Sequence, residues 1–464
     1  MGQRPKIKRY GAATQNKAVR GSAPKYSIKK IGKGFSGRRK IRAGTISKVN
    51  IMVNVAVLGF GTVGSGVVEL IEMNKVHIAQ KLEQELNVKY ILDIRSFPDS
   101  PYADKFVKDF SIIENDPEIK VVAEVIGGCS FAYDYTVRAL KAGKSVVTSN
   151  KELVAAKGVE LLNLAKKHNV NYFFEASVGG GIPIIRPMHR CMAANEITEV
   201  YGILNGTTNY ILTKMIEEKV PFEKALAQAQ ELGYAEANPA ADIEGADACR
   251  KICILASLAF GHHVYPENVR TVGITNINRV DVAIADEAGY AVKLICQAKY
   301  INGKYRISVS PALVDKNTLL SRVRDVFNAV LIKGNAVGDI FLSGRGAGKL
   351  PTASAVVADI LDAAKHFEFL KGWGWQDELP DEVLPFEECE DAWYLRAENC
   401  REDILEVYPE ARFICDDDDI VYAFSHEKEH GNAVAFFVPH DKNAEHIKKQ
   451  AKLNVLAAIP VLEV

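Results

Sequence analysis

Short apolar runs separated by helix-length segments make up the pattern of residues 52–184. The runs have the length and composition of buried strands. They are VNVAVL at 53–58, VKYILDIR at 88–95, VVAEVIGG at 121–128, SVVTSNK at 145–151 and VNYFFEASVGGGIPI at 170–184. The segments between them include one that follows the first run directly and one that extends through Lys141, and both have helical spacing. Strands and helices that alternate in this way predict an α/β domain with a parallel sheet and right-handed crossovers.

The pattern changes after residue 184. Between residues 185 and 344, alternating segments such as TEVYGIL, TVGITNI and YRISVSPALV occur among helical ones. This mixture predicts a second, α+β domain. Residues 345–370 contain a glycine-rich loop and then a helix with Pro351 in its first turn, and we expect this helix to return to the first domain and complete it.

The end of the chain predicts a linker and a small third unit. Residues 371–391 form an acidic linker, in which DELPDEVLPFEECED holds eight acidic residues and two prolines. Residues 392–464 have the pattern strand, helix, three strands, helix, strand, which is typical of a small ferredoxin-like unit. The four aspartates at 416–419 are interpreted as a solvated turn at a strand tip, and nothing in this unit suggests catalysis.

The sequence GFGTVG follows the first apolar run directly and precedes a helical segment. In this context the first glycine permits a tight turn, the second lets the backbone approach a pyrophosphate, and the third lets helix and strand pack closely. We therefore predict a Rossmann domain that binds a dinucleotide through six consecutive residues: Gly59, Phe60, Gly61, Thr62, Val63 and Gly64. At the end of the second strand, Asp93 would favour NAD by binding a ribose hydroxyl, whereas Arg95 would favour NADP by binding its 2′-phosphate. The sequence leaves both coenzymes open.

Two other segments fall where ligands bind on parallel sheets, past the carboxyl ends of strands. Thr148 and Lys151 lie in TSNK, and Glu175 begins EASVGGG. Gly346 lies in the later loop GRGAGK, which lacks the spacing of a Walker A loop and is interpreted as a loop at the coenzyme site. The first two segments have simpler interpretations. Lys151 alone could be a solvated charge at a helix start, and Glu175 alone could be a buried capping carboxylate.

The segment richest in candidate catalytic residues is LGYAEANPAADIEGADACRK, at residues 232–251. A helix is predicted from Gly245 onward, so Asp247 and Lys251, four residues apart, share one face. Glu236 and Asp242 precede this helix, in a loop that its glycines and proline keep from becoming helical. The simpler alternative is an exposed ion pair on a helix surface.

Composition places the chain among soluble globular proteins, with 48% hydrophobic and 25% charged residues. No apolar run is long enough to span a bilayer, so we expect no membrane partner. The eight cysteines include no CxxC pair. This pattern favours reduced thiols in the cytoplasm over a zinc site or a disulfide framework.

The zero net charge hides a basic N-terminal arm. Residues 1–50 contain fifteen Lys or Arg and no Asp or Glu, which leaves 43 basic against 58 acidic residues in the rest of the chain. We predict that residues 1–51 form a disordered extension. The arm could bind RNA or an anionic surface, could be a targeting segment, or could precede a true start at Met52. Because the rest of the chain is acidic, we do not expect nucleic acid to be a partner beyond this arm.

Six motifs, taken in order, resemble those of homoserine dehydrogenase: LGFGTVG, TSNK, EASVGGGIPI, NGTTNYIL, LGYAEANPAADIEGADACRK and GRGAGKLPTASAV. The resemblance covers about residues 52–370. It implies reduction of L-aspartate 4-semialdehyde to L-homoserine with NADH or NADPH, on the way to threonine and methionine. It also implies a Rossmann domain, a catalytic and dimerisation domain, and a homodimer or homotetramer.

The same resemblance implies roles for particular residues. Lys251 would be the acid/base lysine oriented by Asp247, with Lys151, otherwise a coenzyme contact, as the competing proton donor. The substrate would be bound by Glu236, Asp242, Asp247 and Thr207, and the coenzyme by the glycine turn together with Arg95, Thr148, Lys151 and Gly346. A sodium-like structural cation would be bound by Glu175 and by the backbone carbonyl oxygens of Val178, Gly180 and Ile182, which suit a hard cation.

The chain departs from the family pattern in three places. Asn238 stands where Asp is usual, the C-terminal unit resembles a reduced or divergent ACT domain without the usual Pro-Gly loop, and the basic arm is foreign to the family. Threonine feedback is therefore an open question. Two alternatives from other classes are a catalytically silent NAD(P)-binding regulatory protein and a nucleic-acid-associated protein that uses the arm.

Overall fold

The computed structural model describes residues 52–367, 373–377, 383–415 and 433–463. The strands in chain order are β1 Met52–Leu58, β2 Glu85–Leu92, β3 Phe106–Val107, β4 Ile119–Glu124, β5 Ser145–Thr148, β6 Tyr172–Phe173, β7 Ile197–Ile203, β8 Arg270–Thr271, β9 Tyr290–Ile301, β10 Lys304–Asp315, β11 Phe327–Gly334, β12 Gly338–Arg345, β13 Glu390–Ala397, β14 Arg412–Cys415, β15 Val434–Lys442 and β16 Val455–Leu462. The helices are α1 Thr62–Met73, α2 Lys75–Leu82, α3 Ser111–Glu114, α4 Ser130–Lys141, α5 Lys151–Lys167, α6 Gly206–Glu217, α7 Phe222–Glu231, α8 Ala240–Ile243, α9 Ala246–Phe260, α10 Arg279–Glu287, α11 Lys349–Lys365, α12 Arg401–Val407 and α13 Asn443–Gln450.

The first sheet has six parallel strands in the order β3-β2-β1-β4-β5-β6. This order reverses at β1 and β4, which is the switch point where dinucleotides bind in Rossmann folds. The central strands β1 and β4 are apolar and almost fully buried because helices cover both faces of a parallel sheet. Helix α11 packs against α1 of this domain.

The second sheet begins with the strand order β12-β11-β7-β9-β10. Its centre is the long hairpin of β9 and β10, which turns at Asn302 and Gly303. Both residues have positive φ, as the tight turn of a two-residue hairpin requires. Helices α6 and α9 pack on one face of this sheet. The α/β class with a Rossmann domain and a mixed second domain is confirmed.

The C-terminal strands extend the second sheet in the order β16-β13-β15-β14. The link is a short parallel pairing of β10 with β16. Buried ion pairs reinforce the junction: Arg306 pairs with Asp391 at 2.5 Å, and Arg396 pairs with Asp281 at 2.8 Å. The predicted third strand of this unit and the four aspartates at 416–419 lie outside the described residues.

Three sequence expectations about local structure were wrong. The segment TVGITNI forms a strand only at β8, because Gly273 lies so close to the backbone of Ile243 and Glu244 that the chain leaves the sheet there. In VNYFFEASVGGGIPI only β6 is a strand, since a 3₁₀ turn follows at Glu175–Ser177. The loop that carries Asp242 contains a helical turn, α8, which begins directly after Pro239.

Two expectations from composition can be compared with the described residues. No described helix is long and apolar enough to cross a membrane. The seven cysteines whose side chains are described are all free thiols.

Candidate active site

The site is organised by the first turns of α9. Gly245, with φ of 89°, turns the chain so that the helix begins at the next residue. Asp247 and Lys251 follow on one buried face, and the Lys251 ammonium donates to Asp247 Oδ2 at 2.7 Å. It also donates to the carbonyl oxygen of Leu204 at 2.8 Å, where β7 ends. The exposed helix pair considered as an alternative is therefore excluded, because both side chains are buried.

A second lysine approaches the same carboxylate from the first domain. Lys151 is the first residue of α5, and its ammonium forms an ion pair with Asp247 Oδ1. The side chain of Lys151 is 41% exposed, whereas that of Lys251 is 10% exposed. The Asp247 carboxylate thus lies between two ammonium groups, one from each domain, and marks the cleft between them.

The environment of Asp247 keeps its carboxylate charged. Burial alone would raise its pKa, but the charges of Lys251 and Lys151 and the hydrogen bonds from them hold the pKa well below the ordinary carboxyl range. An ionised carboxylate in this position holds both ammonium groups in place. It also balances one of their two positive charges.

The amino end of α6 supplies the polar wall of the cleft. Asn205 caps this helix, since its Oδ1 accepts the backbone N–H of Thr208. Its Nδ2 donates to Asp242 at 2.7 Å and to Asp247 at 2.9 Å. Asn205 was not among the predicted site residues, although an asparagine directly before a predicted helix is a recognisable N-cap signal.

Glu236 lies on a loop that is tied to α6 at both ends. Before it, the Thr207 hydroxyl donates to the carbonyl oxygen of Tyr234 at 2.7 Å. After it, Asp242 accepts the hydrogen bond from Asn205. The Glu236 side chain itself is exposed. The structure therefore brings Thr207, Asp242, Asp247 and both lysines together, and leaves Glu236 exposed on the loop beside them.

The glycine turn after β1 fits a dinucleotide. Gly59 has φ of 96°, and any side chain at Gly64 would overlap the carbonyl oxygen of Gly59, so α1 can start this close to β1 only with glycine there. The backbone at Gly61 is open. A cavity of about 320 Å³ lies beside this turn and reaches the end of β2. Phe60 turns its ring away, into a cluster with Phe97 and Phe106.

Asp93 and Arg95 at the end of β2 bind each other at the edge of this cavity. The Arg95 guanidinium donates to both carboxylate oxygens of Asp93, at 3.0 and 2.8 Å, and the Phe60 amide donates at 2.7 Å. The hydrogen bonds from Arg95 and Phe60 together lower the pKa of Asp93 to about 2, against the opposing effect of burial. Lys108 binds the carbonyl oxygens of residues 93–95 and adds a second positive charge to this edge.

Thr148 has a structural partner. Its hydroxyl donates to Glu124 Oε2 at 2.6 Å and accepts the amide of Asn150 at 2.9 Å, so it links the ends of β4 and β5. Burial raises the pKa of Glu124, a carboxyl group that was not among the predicted site residues. Its position at the carboxyl end of a parallel strand was the available signal.

Gly346 lies in a loop pressed against the glycine turn at 179–181. A side chain at Gly180 would overlap the backbone of Gly346. The amide of Gly181 donates to the carbonyl oxygen of Arg345 at 3.1 Å. The predicted coenzyme loop and the predicted cation loop are therefore in direct contact.

The Glu175 carboxylate does not fit the predicted cation ligand. It is buried, and its two oxygens accept three backbone N–H groups, from Ile184, Ile185 and Arg186, at 2.7, 2.9 and 2.8 Å. The Arg186 guanidinium lies 3.4 Å from Oε2. The carboxylate is thus the buried cap considered as the simpler alternative. The backbone oxygens of Val178, Gly180 and Ile182 would be the donors available to a hard cation.

Family profiles and curated relatives match most of this chain. A profile described as homoserine dehydrogenase matches residues 183–361, and one described as its NAD binding domain matches residues 59–175. The homoserine dehydrogenase of Bacillus subtilis is 42% identical over 318 residues, which cover 68% of this chain and 73% of that protein. The enzyme of Pseudomonas aeruginosa is 39% identical over 357 residues, covering 74% of this chain and 81% of that protein.

Solved structures give the same comparison in three dimensions. A homoserine dehydrogenase from Thiobacillus denitrificans superposes with a TM-score of 0.80 at 32% identity, covering 89% of this chain and 98% of that one. A hyperthermophilic archaeal homoserine dehydrogenase in complex with NADPH superposes with a TM-score of 0.59 at 30% identity, covering 69% and 100% of the two chains.

Proposed function

The chain belongs to the homoserine dehydrogenase family and is an NAD(P)-dependent oxidoreductase, and we propose that the cleft at Asp247 is where it converts L-aspartate 4-semialdehyde into L-homoserine. The observation that carries this proposal is the Asp247 carboxylate bound between Lys151 and Lys251. It supports the proposal because two ammonium groups, one from the coenzyme domain and one from the second domain, meet at a buried carboxylate.

Lys251 is the proposed proton donor. Its ammonium has three N–H groups, of which Asp247 and Leu204 accept two, so one remains to address a substrate oxygen. A bound nicotinamide supplies the hydride. As negative charge develops on the carbonyl oxygen of the semialdehyde, the ammonium stabilises that oxygen and then protonates it. Lys151, more exposed and on the coenzyme domain, is the competing donor and adds positive charge.

The amino end of α6 and the loop of Glu236 are proposed to bind the substrate's amino-acid end. Helix amino termini favour anions, so the backbone amides near Thr207 suit the α-carboxylate. The exposed Glu236 carboxylate suits the α-ammonium, with Asp242 nearby. Both ends of the substrate would then be held while its carbonyl faces Lys251.

Replacing Glu236 with glutamine is expected chiefly to raise the KM for L-aspartate 4-semialdehyde. A charge-assisted hydrogen bond contributes about 1.5–3 kcal/mol, which corresponds to a rise of roughly tenfold or more. The measurement is steady-state kinetics at saturating coenzyme. Glu231→Gln, which removes an equally exposed carboxylate at the end of α7, is the matched control. An unaltered KM in Glu236→Gln would contradict ammonium binding.

NADP(H) is proposed as the preferred coenzyme. Because both oxygens of the Asp93 carboxylate are engaged by Arg95 and Phe60, this carboxylate is poorly placed to accept ribose hydroxyls. The two positive charges of Arg95 and Lys108 exceed the single negative charge of Asp93. A 2′-phosphate would therefore meet a net positive edge, as NADP sites require.

Arg95→Ala is expected to raise the KM for NADPH by roughly tenfold, as loss of one charge-assisted contact should. The KM for NADH should change little, so the informative quantity is the ratio of the KM for NADPH to the KM for NADH. Arg190→Ala removes another solvent-accessible arginine paired with a carboxylate, Asp362, and serves as the control. Equal KM changes for both coenzymes would contradict the proposed NADP(H) preference.

The overall function is tested by initial rates with homoserine and each coenzyme, with and without threonine. The absorbance of the reduced coenzyme should rise only when homoserine is present. The relatives reported above give no support to a catalytically silent coenzyme-binding protein. Only a lack of turnover with both coenzymes would favour that alternative. An effect of threonine on these rates would show that threonine regulates the enzyme.

Several finer features stay predictions. A sodium-like cation would be bound by carbonyl oxygens of Val178, Gly180 and Ile182 without the Glu175 carboxylate. The homodimer or homotetramer, the cytoplasmic location, the place in threonine and methionine biosynthesis and the domain boundaries also stay predictions. The role of the basic arm at residues 1–51, including any binding of RNA, lies outside the described residues.

A further inference from the structure

The side-chain carboxamide of Asn328 is buried, yet it forms no hydrogen bond among the described residues. The residue is 1% exposed, and neither its Oδ1 nor its Nδ2 has a hydrogen-bond partner among the described residues. Among those residues it is the only amide side chain with both ends buried and unpaired. A carboxamide can accept two hydrogen bonds and donate two, so burial without any of them costs free energy. Such a group calls for an explanation.

The strand places this side chain on the catalytic face of the sheet. Asn328 is the second residue of β11, and side chains of a strand alternate between faces. Val330 and Ile332, on the same face, belong to the main core, whereas Ala329 and Leu331 belong to the separate core on the opposite face. Helices α6 and α9, which carry the proposed catalytic groups, contact the same face.

The carboxamide lies close to two glycines, Gly346 and Gly206. On one side it is pressed so closely against Gly346 that any side chain there would overlap it. On the other side, a methyl group built on Gly206, the first residue of α6, would lie 3.6 Å from Asn328 Oδ1. Asn328 therefore touches both the loop of residues 344–348 and the start of the helix proposed to bind substrate.

The loop at 344–348 connects the two halves of the cleft. It leads into α11, whose first residue, Lys349, forms an ion pair with Glu69 on α1 at 2.5 Å. Helix α1 follows the glycine turn of the coenzyme domain. A ligand bound at that glycine turn and a ligand bound at the start of α6 could therefore each change the position of this loop. Its peptide groups are also a source of N–H and C=O partners for the Asn328 side chain, which lies against Gly346.

We propose that Asn328 is a positioning residue of the hydride-transfer site, whose carboxamide hydrogen-bonds the backbone of the 344–348 loop when coenzyme and substrate are bound. The proposal rests on the proposed function of the cleft. It explains why a polar side chain occupies a core position where leucine or valine would cost less. The contact with Gly346 already exists, and a small shift of the loop converts it into hydrogen bonds.

Asn328→Leu separates this role from simple packing, because leucine fills a similar volume without polar atoms. The expected result is an unchanged or higher Tm for the protein without ligands, since an unpaired buried polar group has been removed. The rise in Tm that NADPH produces should shrink, and kcat/KM for homoserine should fall by about tenfold or more. Asn328→Ser, which keeps a hydrogen-bonding group, should recover part of both losses.

Asn171→Leu is the control, because Asn171 is a buried asparagine of the coenzyme domain whose amide is bonded to the carbonyl oxygen of His366. It should lower Tm and leave kcat/KM unchanged. Wild-type kinetics and a wild-type coenzyme shift in Asn328→Leu would overturn the positioning role. If wild-type protein lacks turnover with homoserine, the proposed function fails instead. The NADPH-induced shift in Tm then still shows whether Asn328 acts on the coenzyme side of the loop.

Discussion

Lys251→Ala is expected to lower kcat for homoserine oxidation by two orders of magnitude or more. Loss of a general acid or base typically costs about 10²–10⁴-fold in rate. Lys251 is the more buried of the two lysines at Asp247, and α9 and the Leu204 carbonyl oxygen hold it in position. Binding of substrate should suffer less than turnover, because Glu236 and the start of α6 remain. The measurement is steady-state kinetics in both directions, with kcat and KM separated.

Two further variants decide whether this effect is specific. Lys144 is also a buried lysine whose ammonium donates to backbone carbonyl oxygens, but it lies at the amino ends of β4 and β5, the opposite edge from the cleft. Lys144→Ala should reduce stability and leave kcat unchanged. Lys151→Ala should mainly weaken coenzyme binding. If Lys151→Ala instead abolishes turnover while Lys251→Ala retains it, the two lysines exchange roles.

The parts of this site that the sequence predicted are local ones. GFGTVG predicts a dinucleotide site because the glycines, the preceding apolar strand and the following helix are adjacent in the sequence. Asp247 and Lys251 were placed on one face by helical spacing alone, and the structure joins their side chains at 2.7 Å. Helical period fixes such a contact without knowledge of the rest of the fold.

The parts that the sequence did not predict depend on how distant segments pack. The ion pair of Lys151 with Asp247 joins residues of different domains. The roles of Asn205 and Asn328 appear only once β7, β11 and α6 are assembled. The motif of Glu175 likewise did not predict that three amides following a sharp glycine turn donate to its carboxylate. Which polar groups are already satisfied is a property of the packed structure.

Asp247→Asn is the second substitution with a large expected effect. It leaves the buried Lys251 without its counter-ion, and removal of one partner from a buried ion pair costs about 3–5 kcal/mol of unfolding free energy. The amide would also hold the two ammonium groups less firmly, so kcat should fall by about tenfold or more, equivalent to roughly 1.4 kcal/mol of transition-state stabilisation. Urea unfolding and steady-state kinetics measure the two effects.

The pH dependence of this loss follows from the low pKa of Asp247 in the folded protein. A folded pKa below the unfolded value contributes stability that is fully present above the unfolded pKa, about 4 for a carboxyl group, and is lost as pH falls through the folded pKa. The stability difference between wild type and Asp247→Asn should therefore be constant above about pH 5 and shrink at lower pH.

Asp281→Asn is the matched control, since Asp281 is equally buried and pairs with Arg396 far from the cleft, at the junction with the C-terminal strands. It should destabilise the protein by a similar mechanism and leave kcat of the folded enzyme unchanged. A stability loss in Asp247→Asn with full turnover would mean that the carboxylate only maintains the fold. Loss of turnover in Asp247→Asn but not in Asp281→Asn assigns the carboxylate to the orientation of the two lysines.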